Sequence, residues 1–204
     1  MKAHPAFASI EFNSVPSGIF AADALLKKSP ISMIRSGTIG SGRYLILLAG
    51  TTASVEEAHQ EALFHGGLQV ADDAFLPDIH PALYEAVLGN VRKMGAGPLL
   101  VLETPTVSCN LQAIEAALKG VPVELIEFRA GDPRMDGRGL AILQGDLYDV
   151  EAAQEIALAT LETRGIPAQY RILTSPHDAL LTQISVSTRF DLAQSVALEG
   201  ETAS

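Results

Sequence analysis

The chain of 204 residues is 48% apolar and sets 14 Lys and Arg against 24 Asp and Glu, a formal net charge of −10. That balance, with no basic run longer than Lys27-Lys28 and no tryptophan for base stacking, argues against a nucleic-acid surface. The longest apolar runs, such as Tyr44–Ala49 and Pro98–Leu102, fall well short of the roughly 20 residues of a membrane helix, and Met1-Lys-Ala-His-Pro lacks an apolar signal core, so a cytosolic globular protein is expected.

In chain order, Phe7–Phe12 alternates as a strand, and Pro16 stands where a helix can begin, its missing N–H being unneeded in a first turn. Ile19, Ala22 and Leu26 form that helix's apolar stripe, and Pro30 closes it. Two β-rich segments, Ser32–Ile39 and Arg43–Gly50, flank the turn Gly40-Ser-Gly42. On the next helix Val55, Ala58 and Ala62 face one way, with Glu56, Glu57, Gln60 and Glu61 opposite and His59 on the polar side. A short helix is expected over His80–Leu88, and Gly89–Gly97 reads as a linker. The series then recurs as Leu99–Glu103, Val107–Lys119, Val123–Arg129, Arg138–Gly145, Val150–Leu161 and a short helix over His177–Gln183. Residues 185–204 form a polar tail expected to be flexible.

The recurrence is a duplication. Val15–Lys27 lies over Val107–Lys119 at an offset of 92, and seven of the twenty positions in 15–34 are identical in 107–126. Gly42–Gly50 then lies over Gly137–Gly145 at an offset of 95, so three residues have been added in the loop between. Each copy reads strand, helix, strand, strand, helix, strand. The expected fold class is therefore α+β, two tandem ferredoxin-like (split βαβ) domains over 6–90 and 97–184, each an antiparallel sheet with helices on one face.

Residues for catalysis are sparse. His4, His59, His65, His80 and His177 are scattered, with no nucleophile elbow and no His-Glu-x-x-His, and His80 and His177 stand at equivalent helix starts, where they read as caps. Cys109, the one cysteine, excludes an internal disulfide and a cysteine-only metal site, and reads as a small buried side chain in a first helical turn. Ser36–Gly42 is glycine-rich but joins two strands and lacks the Lys-Ser/Thr of a phosphate loop. No catalytic residue, metal site or cofactor is expected.

Ala21-Ala-Asp-Ala-Leu-Leu-Lys27, the Gly-Ser-Gly-Arg turn and Leu-Leu-Ala-Gly50, with a second appearance at Ala113-Ile-Glu-Ala-Ala-Leu-Lys119, resemble the bacterial microcompartment shell domain in its tandem, trimer-forming, unpermuted type. The resemblance spans about residues 6–184. It implies a non-enzymatic structural subunit in the shell of an organelle in the bacterial cytoplasm: a homotrimeric pseudohexagonal tile, single or stacked in pairs, that joins hexameric and pentameric tiles and passes small polar metabolites through a central pore.

The same resemblance implies that Lys27 and Lys119 lie at the tile edge with Asp23 and Glu115 holding their stems four residues away, a spacing that shares a helix face. His80 and His177 fall where relatives carry an edge Arg-Pro-His, although here the stretches are Asp78-Ile-His80 and Ser175-Pro-His177. The pore loops would be Ser36, Gly37, Thr38, Ile39, Gly40, Ser41 and Gly42 in the first copy and Gly131, Asp132, Pro133, Arg134, Met135, Asp136 and Gly137 in the second, with the charged trio Asp132, Arg134 and Asp136 at the axis. Some relatives hold an iron–sulfur cluster on a cysteine of the first loop, whereas this chain has Gly40 or a neighbour there, so a cluster is not expected. The alternative function is a ferredoxin-like sensor or regulator with a small molecule between the copies.

Overall fold

The computed structural model describes residues 6–90, 94–198 and 200. The first copy runs β1 (Ala6–Phe12), α1 (Val15–Lys28), β2 (Met33–Thr38), β3 (Tyr44–Gly50), α2 (Thr52–Gly66), β4 (Val70–Leu76) and α3 (Pro81–Val87). The second runs β5 (Leu99–Thr104), α4 (Val107–Gly120), β6 (Glu124–Arg129), β7 (Gly139–Gln144), α5 (Leu147–Glu162), β8 (Gln169–Leu173) and α6 (Asp178–Ile184). Both sheets are antiparallel, in the orders β2-β3-β1-β4 and β6-β7-β5-β8, the ferredoxin-like arrangement.

Local chemistry sets the helix ends. The side chains of Ser14 and Thr106 accept from the backbone N–H of Ser17 and Cys109, satisfying a donor that the first turn leaves free. Pro16 occupies the first turn of α1, and Ser29 ends that helix just before Pro30. His80 and His177 cap α3 and α6, each accepting at Nδ1 from the N–H two residues on, at 3.3 Å from Ala82 and 3.1 Å from Ala179.

Alternation along the inner strands gives each sheet two working faces. Ala6, Ala8, Ile10 and Phe12 of β1, with Ile46 and Leu48 of β3, pack under Ala21, Leu25, Val55, Ala58 and Ala62 of α1 and α2. Phe7, Leu45, Leu47 and Ala49 point the other way, where Leu83 and Val87 of α3 lie, with the Phe7 and Tyr84 rings edge to face at 6.4 Å. The long helices thus share one face, as the duplication predicts, while the short one covers the opposite face. His59 differs from its expected polar position. It is buried on α2, holds Asp73 Oδ2 at 2.9 Å and stacks on Phe75, because β4 brings a carboxylate under that face. The Asp73 carboxyl lies below its usual range, chiefly through the hydrogen bond from His59.

The two copies are joined along one face of α4. Ser108, Gln112, Glu115 and Lys119, spaced four, three and four, all reach the first copy. The Ser108 N–H donates to Glu11 Oε1 at 2.7 Å, while its hydroxyl receives a bond from Ser9 Oγ at 2.8 Å. Gln112 Nε2 donates to the Asp73 carbonyl at 3.2 Å, and its Oε1 accepts Arg164 Nη1 at 2.6 Å. Arg164 also bonds Asp72, which accepts from Thr106 as well. Glu115 accepts the His80 N–H, and Lys119 Nζ reaches the Asp78 carbonyl at 2.5 Å. Between these polar contacts lie Leu111, Ile114 and Leu118, continuous with the core formed around Phe7, Leu76 and Leu83 of the first copy.

Glu11 is fully buried in this junction, with Arg43 Nη2 at 2.5 Å from Oε2. Burial pushes its carboxyl up to about 7, against the opposing pull of the Ser108 N–H and the Arg43 guanidinium. The folded chain then holds this proton more tightly than the unfolded chain, so the contribution is fully present below pH 4.5 and is lost as pH rises toward about 7. Thermal unfolding followed across that window should show stability falling with pH by up to about 1.4 kcal/mol per unit from this group. In Glu11→Gln that part of the slope should vanish, and an unchanged slope would remove Glu11 as its source.

Candidate functional site

The structure brings the two expected loops into contact at one corner of the molecule. Gly40 has φ +98°, and a Cβ there would stand 2.6 Å from the Pro133 carbonyl oxygen, so the approach of the second loop leaves no room for a side chain. Ser41 Oγ donates to Asp136 Oδ1 at 3.0 Å, and Arg43 Nη1 reaches the Asp136 carbonyl at 3.4 Å. An open cleft of about 200 Å³ lies beside both loops, bordered by Arg35, Ser36, Gly37 and Thr38 from one side and Ala130 and Gly131 from the other.

The charged trio of the second loop divides. Asp132 is 4% exposed and turns inward, accepting Arg129 Nη1 at 3.1 Å and the Arg134 N–H at 3.0 Å. Arg134 and Asp136 remain on the surface, with Met135 between them closing a 3₁₀ turn over Pro133–Met135. Asp132 therefore anchors the loop while Arg134 and Asp136 are presented, which departs from the expectation that all three project together. The physical reason is Arg129, a buried guanidinium at the end of β6 that also holds Glu127 Oε1 at 3.0 Å.

The tail has partners that its composition does not reveal. Thr188 accepts Arg129 Nη2 at 2.6 Å and donates its N–H to Glu127 Oε2 at 3.2 Å. Arg189 Nε lies 3.2 Å from Asp132 Oδ2, and Asp191 meets Arg134 Nη1 at 2.5 Å. The hydrogen bond from Arg134 draws the Asp191 carboxyl below its usual range. Residues 187–191 thus lie along the second loop, where flexibility was expected; residues 201–204 fall outside the described residues.

At the other end of α1 and α4, the lysines differ. Lys27 Nζ meets Asp23 Oδ2 at 2.5 Å with both side chains exposed. Lys119 Nζ meets Glu115 Oε1 at 2.6 Å, but Glu115 is buried and the pair sits against Asp78 and His80 of the first copy. Each Asp or Glu holds its lysine stem, as the four-residue spacing predicts, yet only the second pair has a neighbour within the chain. Cys109 is buried, and burial raises its thiol above the usual range, so the first-turn position does not yield a reactive thiolate.

The sequence and the fold have known counterparts. Residues 6–79 match the BMC domain. The bacterial microcompartment shell protein PduT of Citrobacter freundii is 27% identical over 177 residues, spanning 86% of this chain and 95% of that protein. A microcompartment protein of Desulfitobacterium hafniense superimposes with a TM-score of 0.76 at 28% identity, over 87% of this chain and 98% of that one. The first copy thus matches the BMC domain, and over most of its length the chain is similar to microcompartment shell proteins. A double-ringed trimeric shell protein from the RMM microcompartment shares the fold, with a TM-score of 0.57 at 14% identity over 77% of this chain and 82% of that one.

The residues overlooked from sequence are those of the junction and the tail. Glu11 and Arg43 recur as Glu103 and Arg138 at the same offsets of 92 and 95, a signal that the alignment of the two copies held. The second pair forms as well, with Arg138 Nη1 2.8 Å from Glu103 Oε1. Nothing comparable marks Thr188 or Asp191, since the first copy has no tail to align with them.

Arg129 is the hub of the second loop, so Arg129→Ala should leave Asp132 and Glu127 buried without their shared cation and destabilise the protein by about 3–5 kcal/mol. Amide hydrogen exchange should rise first across residues 130–137 and 187–191. Unchanged protection there would show that the guanidinium does not secure the loop.

Proposed function

We propose that the chain is a structural subunit of a microcompartment shell, not an enzyme, acting as a homotrimeric tile that surrounds a central pore. Its shell role is supported by the likeness to microcompartment shell proteins; the trimer rests on one observation, the unequal burial of two helices that the duplication makes equivalent. On α4 ten residues are buried, and on α1 four. Leu111 and Leu118 are 0% and 6% exposed against the first copy, while their counterparts Ile19 and Leu26 are 54% and 50% exposed. A free face that matches a covered one, on the same element of the same fold, calls for the same cover. The first copy's edge, β4, is covered by α4, whereas the second copy's edge, β8, is bare along Gln169, Tyr170 and Arg171. Seating α1 of one chain on β8 of another repeats the contact seen within the chain, and alternating the two closes a ring of three chains. Such head-to-tail contacts generate closed rings when the rotation allows.

In that ring the loops Ser36–Gly42 and Gly131–Gly137 face the centre, with tails alongside the second set. Lys27 and Lys119 lie at the rim, with His80 and His177 serving as caps near it. The partners are further copies of the chain, other shell tiles and small polar metabolites, in the bacterial cytoplasm. The alternative sensor reading would place a ligand between the copies, where Leu111, Ile114, Gln112 and Arg164 already fill the junction. No helix among the described residues is long and apolar enough to cross a membrane.

Light scattering should give about three times the chain mass of 21.5 kDa, or six times if tiles stack. A monodisperse monomer would overturn the tile. Lys27→Ala combined with Lys119→Ala should leave that mass unchanged; the first change costs little stability, since an exposed ion pair is worth roughly 0–1 kcal/mol, whereas the second leaves the buried Glu115 without its cation and should lower the melting temperature. Flat arrays seen by negative-stain electron microscopy should become much rarer. Equal array formation would take the rim role away from both lysines.

A further inference from the structure

The contact inside the chain is ionic, and the sequence does not allow the ring-closing contact to be the same. At the offset of 92, Ser108 and Gln112 correspond to Pro16 and Phe20. Strand pairing fixes the other side: Asp72 and Asp73 stand opposite Glu11 and Ile10, as Gln169 and Tyr170 stand opposite Glu103 and Leu102. Arg164, at the offset of 95 relating α2 to α5, corresponds to Gln69. The Asp72–Arg164–Gln112 chain of hydrogen bonds thus has Gln169, Gln69 and Phe20 as its counterpart, with neither charge retained. Glu103 keeps its own Arg138 but meets Pro16, which has no N–H to offer where Ser108 gives one to Glu11.

One detail fits Phe20 to its place. Within the chain, Gln112 satisfies the Asp73 carbonyl on the outer edge of β4. Phe20 can donate nothing to the equivalent Tyr170 carbonyl, but that oxygen already accepts Arg171 Nη1 of its own chain at 2.7 Å. A ring arriving there leaves no acceptor unpaired and lies against a guanidinium, an arrangement that the quadrupole of an aromatic face favours. Phe20 packs edge to face on His65 at 5.3 Å yet is 58% exposed in the single chain, and Tyr170 and Arg171 are exposed as well, so each keeps an open surface for the other chain.

We propose that the seam between chains is closed by Phe20 of one chain packed on Tyr170 and Arg171 of the next, an aromatic–guanidinium contact in place of the ionic chain that joins the two copies within each chain. This rests on the ring described above. Unlike seams give the ring direction: α4 presented to β8 would bring Gln112 to a carbonyl already occupied, and α1 presented to β4 would leave the Asp73 carbonyl facing a phenyl ring with no donor and Asp72 facing Gln69 in place of Arg164. They also separate folding of the chain from its assembly, because each seam responds to different substitutions.

Sedimentation equilibrium of the full chain distinguishes these. Phe20→Ala should raise the trimer dissociation constant about tenfold or more, as truncation of an aromatic anchor does. Phe20→Leu, which keeps apolar volume, should fall between it and the parent, and Arg171→Ala should add less to Phe20→Ala than it costs alone. Arg164→Gln should lower the melting temperature while leaving the dissociation constant unchanged. Circular dichroism identical to the parent establishes that Phe20→Ala folds, as its exposure in the single chain leads one to expect. Trimers of Phe20→Ala as tight as the parent, or a loosening by Arg164→Gln equal to that of Phe20→Ala, overturn the proposed seam. A parent that is itself monomeric overturns the ring instead.

Discussion

Strand β4 ends the first sheet, and an uncovered sheet edge with apolar side chains beside it is unstable in water. The seating of α4 on that edge is the constraint from which the remaining arrangement follows. It buries Leu111, Ile114 and Leu118 against the first copy and aligns Ser108, Gln112, Glu115 and Lys119 with acceptors and donors there. Helix α3 of the first copy lies along β6 of the second, so the copies meet on both sides of α4. The close approach of Pro133 to Gly40 and the hydrogen bond from Ser41 to Asp136 extend the same junction to the loops after β2 and β6.

Polar residues buried at this junction cost desolvation, and their net effect on stability is small when each is satisfied. What they supply is register. A helix held only by leucines could slide by a turn along the edge with little change in area, whereas Ser108 N–H on Glu11 and Gln112 on the Asp73 carbonyl coincide at one position only. His59 performs a related service inside the first copy, tying α2 to β4 through Asp73.

Much of this was legible in the amino-acid order. The duplication gave both sheets, all four long helices and the short helices capped by His80 and His177, because repeated apolar spacing and a repeated proline are local signals. The positions of Asp23–Lys27 and Glu115–Lys119 were equally readable, being four residues apart on one helix. Three things were not. The burial of His59 depends on a carboxylate fourteen residues away on a strand. The inward turn of Asp132 depends on Arg129, whose charge looked like that of any strand-end residue. The docking of Thr188 and Asp191 depends on partners about sixty residues back, and composition alone cannot distinguish a polar tail that is free from one that is held.

A ring built from one domain per chain would repeat a single inner loop at every position around its axis. Here the two loops differ in length and character, one small and neutral over Ser36–Gly42, the other held by Arg129 and presenting Arg134 and Asp136. In the proposed ring, a substitution in either loop is copied three times at alternate places, leaving the intervening ones untouched. The lining can therefore change its charge in steps of three instead of six, and one loop is free to vary while the other preserves the fit between them.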